Sequence, residues 1–448
     1  MSSILHRKIA ETPALVVRGE GCYLIDEAGK RYLDASGGAA VSCLGHSHPR
    51  VIEAIQRQVG TLAFAHTSFF TSEPAERLAD RLISLAPEGF AGGRVAFVGS
   101  GSEAMEAALK LVRQHFVEAG QSQRSRFIAR RMSYHGNTIG ALGIGGHPGR
   151  RAIYEPLLMK TALISPCHAY RGQEAGESLE AYGLRMANEL QTAIEELGPE
   201  TVAAFIAEPV VGATLGSATA APGYFKRIRE ICDKYGVLFI ADEVMCGMGR
   251  TGTLFASEAE GVTPDIITIA KGLGAGYQPI GALLAKASVI QPIIDGTGQL
   301  AHGHTYMSHV VGCAGSLAVL DAFEEEQLIG RVKTQGAVVE ELLRSQFGNH
   351  PNVGDIRGRG LFWSVELVAD RATKRPFDAS LNLAGRIKTK AQELGLICYP
   401  SSGSADGRNG DHVLVAPPYI VGQSEIDEMI DKLQRAIEPS LTAVAKAA

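Results

Sequence analysis

Hydrophobic and polar positions follow two rhythms through the middle of the chain. Near-continuous apolar runs at Arg94–Val98, 127–129, 203–207, 237–241 and 266–270 are short and bounded by polar or turn residues, the pattern of strands buried on both faces. Between them the spacing becomes helical. Residues 102–116 place Met105, Ala108, Leu109, Val112 and Phe116 on one face, and 222–235 do the same with Phe225, Ile228, Ile231, Cys232 and Tyr235. Pro222 suits the first turn of the second helix, and Gly236 suits its stop. This alternation predicts an α/β domain around a mainly parallel sheet. From Asp321 the pattern changes to long charged helices with one strand-like run at 361–367, which marks a second domain. Residues 140–150 and 401–411 read as loops, from their glycines and turn residues.

Composition narrows the function classes. The chain has 448 residues, enough for two or three domains of about 100–200 residues each. Lys plus Arg number 43 against 48 Asp plus Glu, with no long basic run, so no nucleic-acid footprint is expected. The seven cysteines are scattered and include no CxxC, which argues for reduced thiols over a disulfide scaffold or a zinc ribbon. The first residues lack the apolar core of a signal peptide, and the longest uncharged stretch, 209–225, is broken by Gly and Pro. A cytoplasmic protein without a membrane span is the expectation.

The ends of the predicted strands carry the chemistry, as open α/β sheets lead one to expect. The first run passes through Gly99, Ser100, Gly101 and Ser102 into the amphipathic helix. Glycines and hydroxyls at a helix N-terminus suit a phosphate, although Ser100 and Glu103 also have the spacing of a capping box. The run 237–241 ends at Asp242 and Glu243, and 266–270 ends at Lys271. An acid and a lysine beside apolar runs are costly unless paired or used. They form either a structural ion pair or a reactive amine with its electrostatic partner. A phosphate cradle, an acid and a strand-end lysine together match the needs of pyridoxal phosphate.

At this point the residues resemble a known family, the class III aminotransferases of fold type I. LFIADEVMCGMGRTG (238–252) followed by DIITIAKGLGAGYQPIGA (265–282) is similar to the family's signature. YLIDEAGKRYLDASGG, LGHSHP, GSGSEAMEAALKL, SYHGNT, AEPV and HGHTYMSH occur in the family's order, so the likeness spans nearly the whole chain. It implies a large cofactor domain, 61–320, whose central sheet is sandwiched by helices, and a small α+β domain made from both chain ends, 1–60 and 321–448. Lys271 would be the Schiff-base lysine, and Asp242 would pair with the pyridine nitrogen. Val244 and Tyr134 would cover the two ring faces. Ser100, Gly101 and Ser102 would hold the phosphate, with His135 and Glu208 close to the cofactor and Glu208 paired with a mobile arginine. Thr305 would reach the phosphate of a partner subunit in a homodimer with shared sites. The pairs His46/His48 and His302/His304 belong to these motifs, so no metal is expected.

The resemblance implies transfer of an amino group from an ω-amino acid or amine to a keto acid by a ping-pong route. The substrate positions depart from the family. Tyr399 and Leu414 stand where relatives often carry a carboxylate-binding arginine, and Arg408 is the substitute that the sequence offers. Ala40 replaces a common pocket tryptophan, which implies a roomier pocket. Loss of the arginine associated with 2-oxoglutarate favours pyruvate as acceptor. The alternatives are an aminomutase, a 2-oxoglutarate-dependent aminotransferase, and a cofactor-binding protein without turnover.

Overall fold

The computed structural model describes residues 2–446. Seven strands form the central sheet: β1 (Arg94–Val98), β2 (Arg126–Arg130), β3 (Ala162–Ile164), β4 (Val202–Ala207), β5 (Leu238–Asp242), β6 (Ile266–Ile269) and β7 (Gly281–Ala285). Their order is β1-β7-β6-β5-β4-β2-β3. Only β7 runs antiparallel to its neighbours, pairing Ala282 with Ile269 on one side and with Phe97 on the other.

Alternation along the central strands builds a core on each face. Phe205 and Phe239 pack with α2 (Leu179–Leu197) and α3 (Tyr224–Tyr235). Ile206, Ile240 and Ile266 pack with α1 (Gly101–Glu118), which contributes Met105, Ala108, Val112 and Phe116. β4 is buried at every position, as a central strand covered by helices on both faces must be. The predicted mainly parallel sheet between helices is therefore the fold observed.

Several boundaries shift. Helix α3 begins at Tyr224, because Gly223 before it is held at φ +80 and Pro222 lies outside the first turn. Its stop is as expected: Gly236 adopts φ +63, and Val237 N–H reaches back to the Cys232 carbonyl at 2.9 Å. Strands β3 and β7 escaped the pattern, since β3 has three residues and β7 follows a glycine-rich turn.

The chain ends meet. Strands Val16–Glu20, Tyr23–Asp26 and Arg31–Asp34 form an antiparallel ribbon, and Leu396–Ile397 adds to it in parallel beside Arg31–Asp34. A second sheet, in the order Val353–Gly358, Trp363–Leu367, Asp411–Val415, Tyr399–Ser402, is antiparallel throughout. The change of pattern at 321 does not coincide with an element boundary. Helix Val310–Glu325 runs straight through it, because the apolar residues before Asp321 and the charged ones after it share one helix. All seven cysteines are free and buried, and among the described residues no helix is long and apolar enough to cross a membrane.

Candidate active site

The carboxyl ends of the parallel strands open onto one cavity of about 700 Å³. Strand β1 delivers Ser100, Gly101 and Ser102; β4 delivers Glu208; β5 delivers Asp242 and Val244; β6 delivers Lys271. Tyr134 and His135 come from the loop after β2. The reversed strand β7 begins where its neighbours end, so Gln278, Pro279 and Ile280 join the wall just before it.

At the start of α1, the serine cap forms and the glutamate reaches one residue further back than a capping box would place it. Ser100 Oγ accepts from Glu103 N–H at 3.2 Å, and the Glu103 carboxylate accepts from Gly99 N–H at 2.7 Å. The Ser100 hydroxyl caps the helix with one lone pair and keeps its proton free to donate. The backbone N–H groups of Gly101 and Ser102 have no partner among the described residues, as the first turn of a helix requires. Ser102 Oγ accepts from Asn137 N–H at 3.1 Å. The helix end thus offers free donors and the positive end of a dipole.

Asp242, almost fully buried, is held at both oxygens. His135 Nδ1 lies 2.7 Å from Oδ2, and Val244 N–H donates to Oδ1 at 3.1 Å. An ionised carboxylate can only accept, so the His135 proton resides on Nδ1. Burial disfavours the His135 cation, but the Asp242 hydrogen bond and the nearby Glu208 charge outweigh it and hold the imidazole pKa above its usual value. Burial also raises the Glu208 carboxyl, against the opposing pull of His135 and Arg130. Lys271 leaves the end of β6 with φ +45, a left-handed turn that brings it to the cavity. Burial lowers the pKa of its amine and Asp242 partly restores it.

Not every expected residue arrives at this cavity. Tyr399 lines it, but Thr305 lies outside its lining on an exposed segment. Arg408 also stays outside. Its loop folds on itself through the Asp406 carboxylate, which accepts from Arg408 N–H at 2.8 Å and Asn409 N–H at 2.6 Å, leaving Arg408 exposed. Glu208 is paired not with a mobile arginine but with Arg130, a buried residue at the end of β2, 3.5 Å away. Ala40 is 2% exposed in a cluster with Val210, Phe362 and Leu414, and the cavity wall is made instead by Gly38, Ala39 and Val41. The left-handed conformations of Ala39 and Ala40 set which of them faces the wall. Arg7, Arg150 and Lys388 line the cavity although the motifs did not single them out. For Arg150 a signal existed, a charged pair ending a glycine-rich segment. Among the described residues, no group of three His, Cys, Asp or Glu side chains is arranged to hold a metal.

The free N–H groups of a helix start, a buried aspartate and a lysine thus share one cavity at the strand ends of an α/β sheet. The chain matches the model of the family "Aminotransferase class-III" over residues 4–437, and it belongs to that family of enzymes, the pyridoxal-phosphate-dependent class III aminotransferases. It is 46% identical over 433 residues to an uncharacterized aminotransferase of Schizosaccharomyces pombe, covering 96% of this chain and 94% of that protein. The solved omega transaminase from Pseudomonas jessenii in complex with PMP matches at a TM-score of 0.91 and 38% identity, covering 97% of this chain and 94% of that one. A thermostable omega transaminase with tryptophan changed to glycine, engineered for asymmetric synthesis of enantiopure bulky amines, matches at 0.91 and 37%, covering 96% and 94%.

The residues present fit the cofactor. The free N–H groups at Gly101 and Ser102 suit its phosphate, Asp242 suits a protonated ring nitrogen, and Lys271 suits its aldehyde. The cradle has no spare room. A methyl group on Gly101 would sit 2.7 Å from Val244 Cγ1, so Gly101→Ala must displace either the helix start or the valine. Misplacing one charge-assisted donor costs about 1.5–3 kcal/mol, roughly a tenfold or greater loss of cofactor affinity. Fluorescence titration of the apoprotein with pyridoxal phosphate measures it, and unchanged affinity would remove Gly101 from the cradle.

Proposed function

We propose that this enzyme moves an amino group from an ω-amino acid or a primary amine to a small keto acid, pyruvate, by a ping-pong route. The observation that carries the reading is the joining of Lys271, Asp242 and the α1 N-terminus in a cavity of about 700 Å³, with tyrosine at 399 and buried leucine at 414. The small residues Gly38 and Ala39 in the wall favour a roomy donor pocket, in keeping with a relative engineered for bulky amines. The test is a screen of amine donors against pyruvate and 2-oxoglutarate. Parallel lines in double-reciprocal plots support the ping-pong route, and preference for 2-oxoglutarate would replace the acceptor assignment.

Pyridoxal phosphate, when bound, supplies an aldehyde that reacts with amines and a ring that accepts an electron pair. The protein supplies the rest. Gly101 and Ser102 would hold the phosphate through their N–H groups, and Tyr134 and Val244 would cover the ring. Asp242 holds a proton at the ring nitrogen, and His135, fixed by its own hydrogen bond, keeps that carboxylate oriented. Glu208, braced by Arg130 and by Tyr134 N–H at 3.2 Å, holds the Tyr134 loop against the β4 end. Lys271, with its amine pKa lowered by burial, would be the base that takes the proton from the substrate carbon and the acid that gives it back.

The working unit is proposed to be a homodimer in which Thr305 reaches the partner's site. Phe69 is 78% and Tyr306 64% exposed, and Phe64 lies 5.6 Å from Tyr306. An aromatic patch of this kind beside Thr305 suits burial against a second copy. Thr305→Ala should weaken cofactor binding by about ten- to a hundredfold. A mixture of Lys271→Ala and Thr305→Arg subunits should regain activity, because each mixed dimer then holds one site free of both lesions. Silence after proven subunit exchange would mean that each subunit builds its own site.

A further inference from the structure

The glycine-rich segment 140–150 after β2 is not a loop but helix Ile139–Ile144 and the helical turn Pro148–Arg151, and the two adjacent arginines that end it are used differently. Arg151 Nη1 donates to the carbonyls of Leu142, Gly143 and Gly145 at 3.2, 2.7 and 2.7 Å, and its guanidinium pairs with Glu155 at 3.1 Å. Arg150 lines the cavity, and its side chain has neither an ion pair nor a hydrogen bond among the described residues. Its guanidinium lies 4.6 Å from the centroid of the Tyr134 ring. Its positive charge acts on the Lys271 amine, helping to lower that pKa, so it operates within range of the reacting centre.

The turn Pro148–Arg151 that carries Arg150 is fixed from two sides. Arg151 ties it to helix Ile139–Ile144. On the other side it meets the 401–411 loop so closely that a methyl on Gly407 would sit 2.9 Å from Pro148 Cδ. Stacking on an aromatic face uses the flat of a guanidinium and leaves its in-plane N–H fork free, the geometry that grips a carboxylate at two points. Arg7 also lines the cavity but belongs to no regular element, and Lys388 offers a point charge without a fork.

We propose that Arg150, stacked on Tyr134, is the group that recognises the carboxylate of the acceptor keto acid, in place of the arginines absent at 399 and 414. The assignment rests on the aminotransferase reading above and names the determinant of acceptor choice within it. It makes Arg150 a specificity residue, with Arg151 and the 401–411 loop positioning it.

The test compares wild type, Arg150→Gln, Arg150→Lys and Arg7→Gln as cofactor-loaded proteins. Calorimetric titration with propionate, which cannot react, reads carboxylate binding directly. Steady-state kinetics with pyruvate and with propanal, which has no carboxylate, read acceptor preference. Arg150→Gln should weaken propionate binding by about ten- to a hundredfold and lower the pyruvate-to-propanal ratio of kcat/KM by a similar factor. Arg150→Lys should recover part of the loss, and Arg7→Gln should leave the ratio where it was. An unchanged ratio in Arg150→Gln, an equal fall with both acceptors, or a loss carried by Arg7→Gln would overturn the assignment. A wild type that aminates neither acceptor would overturn the aminotransferase reading instead.

Discussion

Lys271→Ala should be folded and without measurable turnover. Its side chain projects from a left-handed turn at the end of β6 into the cavity, so truncation leaves no buried partner unsatisfied and the melting curve should stay close to wild type. Loss of the proposed proton carrier alone would cost about 10²–10⁴ in rate, and loss of the amine proposed to join the cofactor would add to it. Lys388 is the other lysine of the cavity wall, borne on helix Leu383–Glu393 rather than at a strand end. Borohydride reduction of the wild type followed by peptide mapping decides between them. The cofactor should be found on Lys271, and a label on Lys388 would overturn the assignment.

Asp242→Asn separates holding the cofactor from activating it. An amide oxygen still accepts from His135 Nδ1 or Val244 N–H, so the loop and the cofactor affinity should largely survive. The negative charge is gone, and with it the proposed means of keeping a proton on the pyridine nitrogen. Removal of a preorganised electrostatic group of this kind costs on the order of 10²–10³ in rate. The His135 pKa should fall as well, because the Asp242 hydrogen bond is what chiefly opposes the effect of burial there. Stopped-flow rates of the half-reaction with an amine donor measure the first effect, and NMR titration of the imidazole measures the second. A near-wild-type half-reaction would show that another group partners the ring.

The parts legible in the sequence were those where local pattern and chemistry coincide. Asp242 and Lys271 stood out because a charge at the end of an apolar run is expensive, and both sit at the ends of central strands. The α1 N-terminus was legible for a related reason, since glycine and serine before an amphipathic face make a helix start. What escaped depended on contacts distant in sequence. Arg130 reads as the end of a strand, and only the neighbouring β4 shows that it neutralises Glu208. Arg150 and Arg151 are indistinguishable as letters, and the carbonyls of 142–145 decide which one is left free. The wall position of Ala39 rather than Ala40 was illegible because the run of positive φ from Gly37 to Ala40 turns the backbone in a way that no sequence period announces.

The pairing of Arg31–Asp34 with Leu396–Ile397 bears on the order in which the molecule can assemble. Lys30 Nζ binds the carbonyl of Gln392, 362 residues further along the chain. As the chain leaves the ribosome, the central sheet can close from its own consecutive strands, but the first ribbon must wait with one edge unpaired until nearly all of the chain has been made. Such late, distant closure slows folding more than it weakens the finished protein. The cavity inherits that timing, since Gly38 and Val41 come from the early segment and Ile397 and Tyr399 from the late one. The central sheet can therefore exist during synthesis with an open, half-walled cavity, and the wall that carries Ile397 and Tyr399 is the last part of it to come into being.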